Sequence, residues 1–140
     1  MSWRLGILAA ILVWLFLASP AVLANSERAD SGIEVRNGTR TPNLARLTRT
    51  LLSQQGFDVV QIGNHIDFGV ETTVIYYRAE AEKVARALQS EIFPGARIEA
   101  SSSLKNGVDL KVLLGHDLEV QPRIMARLLG EEMAASPPAV

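Results

Sequence analysis

Residues able to do chemistry are few in this chain. Two histidines, His65 and His116, stand beside an Asn or an Asp in the pairs Asn64-His65 and His116-Asp117. A metal centre takes three or four converging ligands. Nothing in the spacing brings these pairs together, so solvated loop polarity is the expectation and no metal is expected. With no Cys in the sequence, thiol catalysis, a zinc-thiolate site and a disulfide framework are excluded. The sequence contains no G-x-S-x-G elbow, no H-E-x-x-H pair and no P-loop. Glu131-Glu132 falls near the C-terminus, away from any predicted cleft, so no general acid/base pair is nominated. No catalytic residue and no cofactor are expected.

Binding chemistry is better represented. Asn37-Gly38-Thr39-Arg40 forms a turn ahead of a predicted helix. Free backbone N–H groups, the positive end of the helix dipole and the Arg40 guanidinium can together hold a carboxylate or a phosphate there. Gly63 and Asn64 close a later strand and form a second loop of the same site if both loops share one sheet edge. The ligand-binding candidates are therefore Asn37, Gly38, Thr39, Arg40, Gly63 and Asn64. The plainer reading of Gly38, Gly63 and Gly115 is turn geometry with positive φ at strand ends. Tyr76, Tyr77 and Arg78 offer a sugar or peptide platform, against simple strand packing.

Lys and Arg number 14 and Asp and Glu 15, for a net charge of −1 over 140 residues. That balance, with no single-sign block, argues against nucleic-acid binding, which needs clustered cations to displace phosphate counterions. The length suits one domain with appendages.

The elements that must position these residues alternate. Ile33–Arg36 alternates apolar and polar residues, as a half-buried strand does. Thr41 and Pro42 predict a helix start, with Thr41 as N-cap and Pro42 at the first helical position. Leu44, Leu47, Leu51 and Leu52 give that helix its apolar stripe, and Gly56 ends it in a left-handed cap. Phe57–Ile62 and Thr72–Tyr77 are the next strands, and the short loop between them predicts antiparallel neighbours. Glu80–Ile92 is a second helix, with its stripe at Ala81, Val84, Ala85, Leu88 and Ile92. Strands follow at Ala96–Ala100 and Val108–Leu114. The order β-α-β-β-α-β-β predicts an α+β two-layer sandwich of split-βαβ type. Its sheet is mostly antiparallel, with four or five strands and two helices on one face.

The first residues have another purpose. Arg4 precedes Leu5–Ala18, fourteen residues without a charge, and the segment Ser19–Ala24 ends with Val22 and Ala24 at the −3 and −1 positions of a signal-peptidase site. Uncleaved, Leu5–Ala24 is twenty uncharged residues, long enough to anchor. Either way Arg4 stays inside and the rest is exported. The chain divides into a signal peptide or membrane anchor (1–24), a linker (25–32), a domain (33–117), a short C-terminal helix (118–133) and a disordered tail (134–140).

The string IEVRNGT, a helix ending in QQGFDVVQIGN, the strand TTVIYY, a helix and then DLKVLLGHD together resemble the C-terminal domain of LytR-CpsA-Psr proteins. The resemblance runs from Ile33 to Asp117. Its recognisable points are Asn37-Gly38-Thr39, Gly56-Phe57, Gly63-Asn64, Thr73-Val74 and Gly115 with Asp117. Two places where the family often has glycine hold Arg40 and Asn43 here. The resemblance implies an exported bacterial envelope protein working near peptidoglycan or its attached polymers, in the periplasm or on the extracytoplasmic face of the cytoplasmic membrane. It does not imply the phosphotransferase activity of the separate, larger catalytic domain. The expected function is a non-catalytic module that binds or scaffolds at the cell wall, with a cell-wall glycan or an envelope protein as partner. The alternative is a regulatory protein–protein partner of a wall-polymer enzyme.

Overall fold

The computed structural model describes residues 26–135. Residues 26–30, within the expected linker, are helical. Arg28 explains their order. Its guanidinium lies 4.8 Å from the Phe57 ring centroid, donates to the Gln55 carbonyl and pairs with Glu91.

Five strands follow: β1 (Gly32–Asn37), β2 (Asp58–Asn64), β3 (Val74–Tyr77), β4 (Arg97–Ala100) and β5 (Leu110–Leu114). Helix α1 (Leu44–Gln54) joins β1 to β2, α2 (Glu82–Glu91) joins β3 to β4, and α3 (Pro122–Ala135) follows β5. The N-terminal apolar segment and the end of the expected disordered tail lie outside the described residues, although α3 carries helix through Ala135. Among the described residues, no helix is long and apolar enough to cross a membrane.

The fold is α+β with one mixed sheet in the order β2-β1-β5-β3-β4. The expected antiparallel predominance is corrected. β1 pairs parallel with both β2 and β5, β3 pairs parallel with β4, and only β3–β5 is antiparallel. Helices α1 and α2 each serve as the crossover of a βαβ unit, and such crossovers return the chain parallel. β2 and β3 are not neighbours either. The nine residues 65–73 carry the chain past the ends of β1 and β5. Three strand spacings are about 15 Å, and nine extended residues span about 30 Å.

One face of the sheet holds the core. Ile33 and Val35 on β1 stand in register with Leu110 and Val112 on β5, and Val112 with Ile75 on β3. Leu44, Leu51 and Leu52 of α1, Val84, Ala85 and Leu88 of α2, and Ile124 and Leu128 of α3 close over them. The predicted stripes are thus buried, with Leu47 half-buried at their margin. The opposite face is mixed, with Val74 and Leu113 paired and buried on it beside charged residues. There Glu34, only 2 % exposed, accepts from Arg36 at 3.1 Å and Lys105 at 3.2 Å. Burial pushes the Glu34 carboxyl up. The hydrogen bonds and charges of Arg36 and Lys105 more than offset this and hold it below the usual carboxylate range. On the edge strand, Val60 is an extra residue between Val59 and Gln61, where the β1–β2 register shifts. Such a bulge blunts an edge.

Candidate functional site

Parallel pairing of β1 with β2 puts both carboxyl ends at one edge, with Asn37 opposite Asn64 and Arg36 opposite Gly63. Crevices of this kind, outside the carboxyl ends of parallel strands, are where open sheets with crossover helices take ligands. Here the crevice is a cleft of 660 Å³ between the β1–α1 connection, the first turn of α1 and the end of β2. Asn37, Thr39, Arg40, Gly63 and Asn64 line it. Five of the six nominated residues therefore border one cleft, with Asn37 and Thr39 buried and Arg40 exposed.

Gly38 does not join them. It is buried beneath the rim, donating to Leu114 O at 2.9 Å and accepting from Val70 N–H at 3.2 Å. A Cβ there would stand 2.7 Å from both Val70 Cβ and Leu114 O, so the position excludes any side chain. The expectation of positive φ at Gly38, Gly63 and Gly115 is corrected too, since the described glycines with positive φ are Gly56 and Gly107. Gly115 is required by close approach, with Thr72 and Thr73 backbone atoms within 2.9 Å of a built Cβ.

The turn that carries Arg40 is built by Asn37. Its Oδ1 accepts from Thr39 N–H at 2.9 Å and Thr39 Oγ1 at 2.7 Å, while its Nδ2 donates to Thr41 O at 2.8 Å. Thr39 Oγ1 in turn accepts from Thr41 N–H at 3.2 Å. The N–H groups of Gly38, Thr39 and Thr41 are thus already engaged, which leaves Arg40 N–H as the one in this turn without an acceptor among the described residues. The same bonding moves the helix start. Thr41 donates its hydroxyl to Glu119 instead of capping, Thr41–Asn43 form a turn, and α1 begins at Leu44. Asn43 takes φ 64°, the only described non-glycine residue with positive φ. That is the left-handed region that Asn tolerates and Gly prefers. It accounts for the glycine that the family resemblance expects at this place.

Sequence reasoning missed Asn43, Arg46 and Phe68, which also line the cleft. The only charged residues in its lining are Arg40 and Arg46. Both are exposed, and neither side chain makes a hydrogen bond or ion pair among the described residues. Arg46 had a legible signal. It is a cation in the first turn of a helix, where the dipole favours anions, and that turn has no acidic residue and no side-chain cap.

The histidines separate. The His65 N–H binds Asn37 O at 2.9 Å. His116 is not merely solvated: its Nδ1 faces Glu119 Oε2 at 3.1 Å and its Nε2 faces Phe68 O at 2.9 Å. Among the described residues, no three metal-ligating side chains converge. Of the two readings of Tyr76, Tyr77 and Arg78, strand packing is the one that Tyr77 fits. Tyr77 packs against the core, and Arg78 gives its donors to the carbonyls of Val108, Leu104 and Lys105.

With this geometry in place, the similarities of the chain are informative. The family model described as LytR cell envelope-related transcriptional attenuator matches residues 30–118. A solved structure, the soluble domain of a conserved hypothetical secreted protein from Mycobacterium marinum, is similar with a TM-score of 0.54 at 15 % identity. The similarity covers 65 % of this chain and 62 % of that one. At that identity it speaks for the fold. No curated protein matches the chain significantly.

Proposed function

The chain belongs to the LytR C-terminal family, and on that premise we propose that it is an exported, non-catalytic envelope domain that binds or scaffolds at the cell wall. The cleft at the carboxyl ends of β1 and β2 is its contact surface, and peptidoglycan or an attached polymer is its partner. The N-terminal apolar segment with its Ala24 cleavage signal supports export. The observation that carries the contact surface is the meeting of Asn37, Thr39, Arg40, Gly63 and Asn64 around one cleft with two arginines that have no side-chain partner among the described residues. Exposed guanidinium groups at a concave site suit acidic or hydroxyl-rich polymers.

A second reading, a regulatory partner of a wall-polymer enzyme, draws on the apolar tip beside the cleft. Ile66 is 98 % exposed and Phe68 40 % exposed. An aromatic photocrosslinker in place of Phe68, at the cleft margin, separates the two in intact cells. Capture of glycan or an attached polymer supports the first reading. Capture of one protein and no glycan supports the second.

A further inference from the structure

The link between β2 and β3 is a strap bound firmly at both ends. At one end the His65 N–H donates to Asn37 O at 2.9 Å. At the other, Val70 N–H donates to Gly38 O at 3.2 Å, and the carbonyls of Val70 and Glu71 accept from His116 and Asp117 N–H at 2.8 and 3.0 Å. The tip between them, Ile66–Gly69, is held differently. Its one described hydrogen bond to the rest of the domain joins Phe68 O to His116 Nε2. The other described bond, Gly69 N–H to Asp67 Oδ1 at 2.9 Å, is internal. Little apolar burial adds to this tie, because Ile66 and Phe68 are both exposed. Phe68 nevertheless forms part of the cleft lining.

We propose that Ile66–Gly69 is a proton-controlled flap on the cleft, latched closed by the doubly protonated ring of His116. The argument is one of donors and acceptors. A carbonyl oxygen only accepts, so Nε2 must carry a proton to hold Phe68. An ionised carboxylate also only accepts, so Nδ1 must carry a proton to hold Glu119. The imidazolium satisfies both. The neutral ring has one N–H and must release one partner. It keeps the charged acceptor, Glu119, because charge-assisted hydrogen bonds are the stronger ones. Phe68 and the tip are then free.

The groups around His116 agree with this assignment. Glu119 faces it from the following turn and Glu71 from the strap, both acidic. Asp117 is engaged with Thr73, and the β1–α1 connection presents the Thr41 hydroxyl, which donates to Glu119. The Glu119 hydrogen bond first, then the Phe68 carbonyl, holds the imidazolium above the ordinary histidine value.

Backbone nitrogen-15 relaxation of the full chain in detergent micelles, followed across pH, tests the latch. Order parameters of Ile66–Gly69 are expected to fall below about 0.6 as pH rises through the His116 titration, while those of β3 stay at about 0.85. Glu119→Gln is expected to move that step to lower pH, and His116→Gln to abolish it with β3 still rigid. His65→Gln leaves it in place. A tip whose order parameters ignore pH in the unmodified chain overturns the proposal, as does a step that persists in His116→Gln.

Discussion

Asp117 Oδ1 accepts two hydrogen bonds from Thr73, one from its N–H at 2.8 Å and one from its hydroxyl at 2.7 Å. Thr73 Oγ1 in turn accepts from Gly115 N–H at 3.0 Å. This joint ties the start of β3 to the exit of β5 across the one antiparallel seam of the sheet. It also shows what several of the recognisable family positions do. Thr73, Gly115 and Asp117 meet one another, as Asn37 and Thr39 do at the end of β1.

Thr73→Val keeps the β-branched shape and removes the hydroxyl, leaving the Gly115 N–H without its acceptor. A loss of about 1–3 kcal/mol is expected in chemical denaturation. Asp117→Asn retains an acceptor oxygen and should lose less. Equal stability of Thr73→Val and the unmodified protein would remove the joint from the account.

Asn43 is expected to respond to substitution by backbone conformation and not by side-chain contact. Asn43→Ala leaves in the left-handed region a residue that visits it less readily than Asn, and should cost up to about 1 kcal/mol. Asn43→Gly should be neutral or mildly stabilising. Thermal unfolding of the two variants checks the ordering.

In the core, Leu52 is fully buried while Leu47 is half-buried at the edge of the cluster. Leu52→Ala should cost about 2–5 kcal/mol. Leu47→Ala should fall at or below the low end of that range, because solvent already reaches its site.

Strand and helix positions were readable because alternation and leucine spacing report local burial. Leu110, Val112 and Leu114 share a face, as do Val84, Ala85 and Leu88. Sheet order was not readable in the same way. The 65–73 link contains Asp67 and Gly69 as a hairpin loop does, and only its reach distinguishes the two. Asn37, Arg40, Gly63 and Asn64 were legible as strand-end residues, and their meeting depended on a parallel β1–β2 pair. Phe68 was not legible, since its place at the cleft follows from the path of the strap. The role of Gly38 as a packing contact depended on Val70, which is remote in sequence.

The pH dependence of stability has a definite sign. His116 titrates above its ordinary value, so its contribution is fully present below the unfolded pKa of about 6.5 and is lost as pH rises through the folded value. Glu119 is lowered, first by the Thr41 hydroxyl and then by His116. Its contribution is present above the usual carboxylate range and is lost as pH falls through the folded value. Stability of the unmodified protein relative to a His116→Gln, Glu119→Gln double variant should therefore be greatest in mildly acidic solution and decline on both sides. Denaturant midpoints across pH measure it, and a difference that is flat with pH would contradict the assignment.

The central claim is that the β1–β2 cleft touches the cell wall, and co-sedimentation with purified sacculi tests it most directly. The full chain in mild detergent is expected to pellet with sacculi, and Arg40→Ala and Arg46→Ala to weaken pelleting several-fold. Arg123→Ala, at the start of α3 and outside the cleft, should leave it unchanged. Equal pelleting with and without sacculi, or equal loss in Arg123→Ala and Arg40→Ala, would contradict the account.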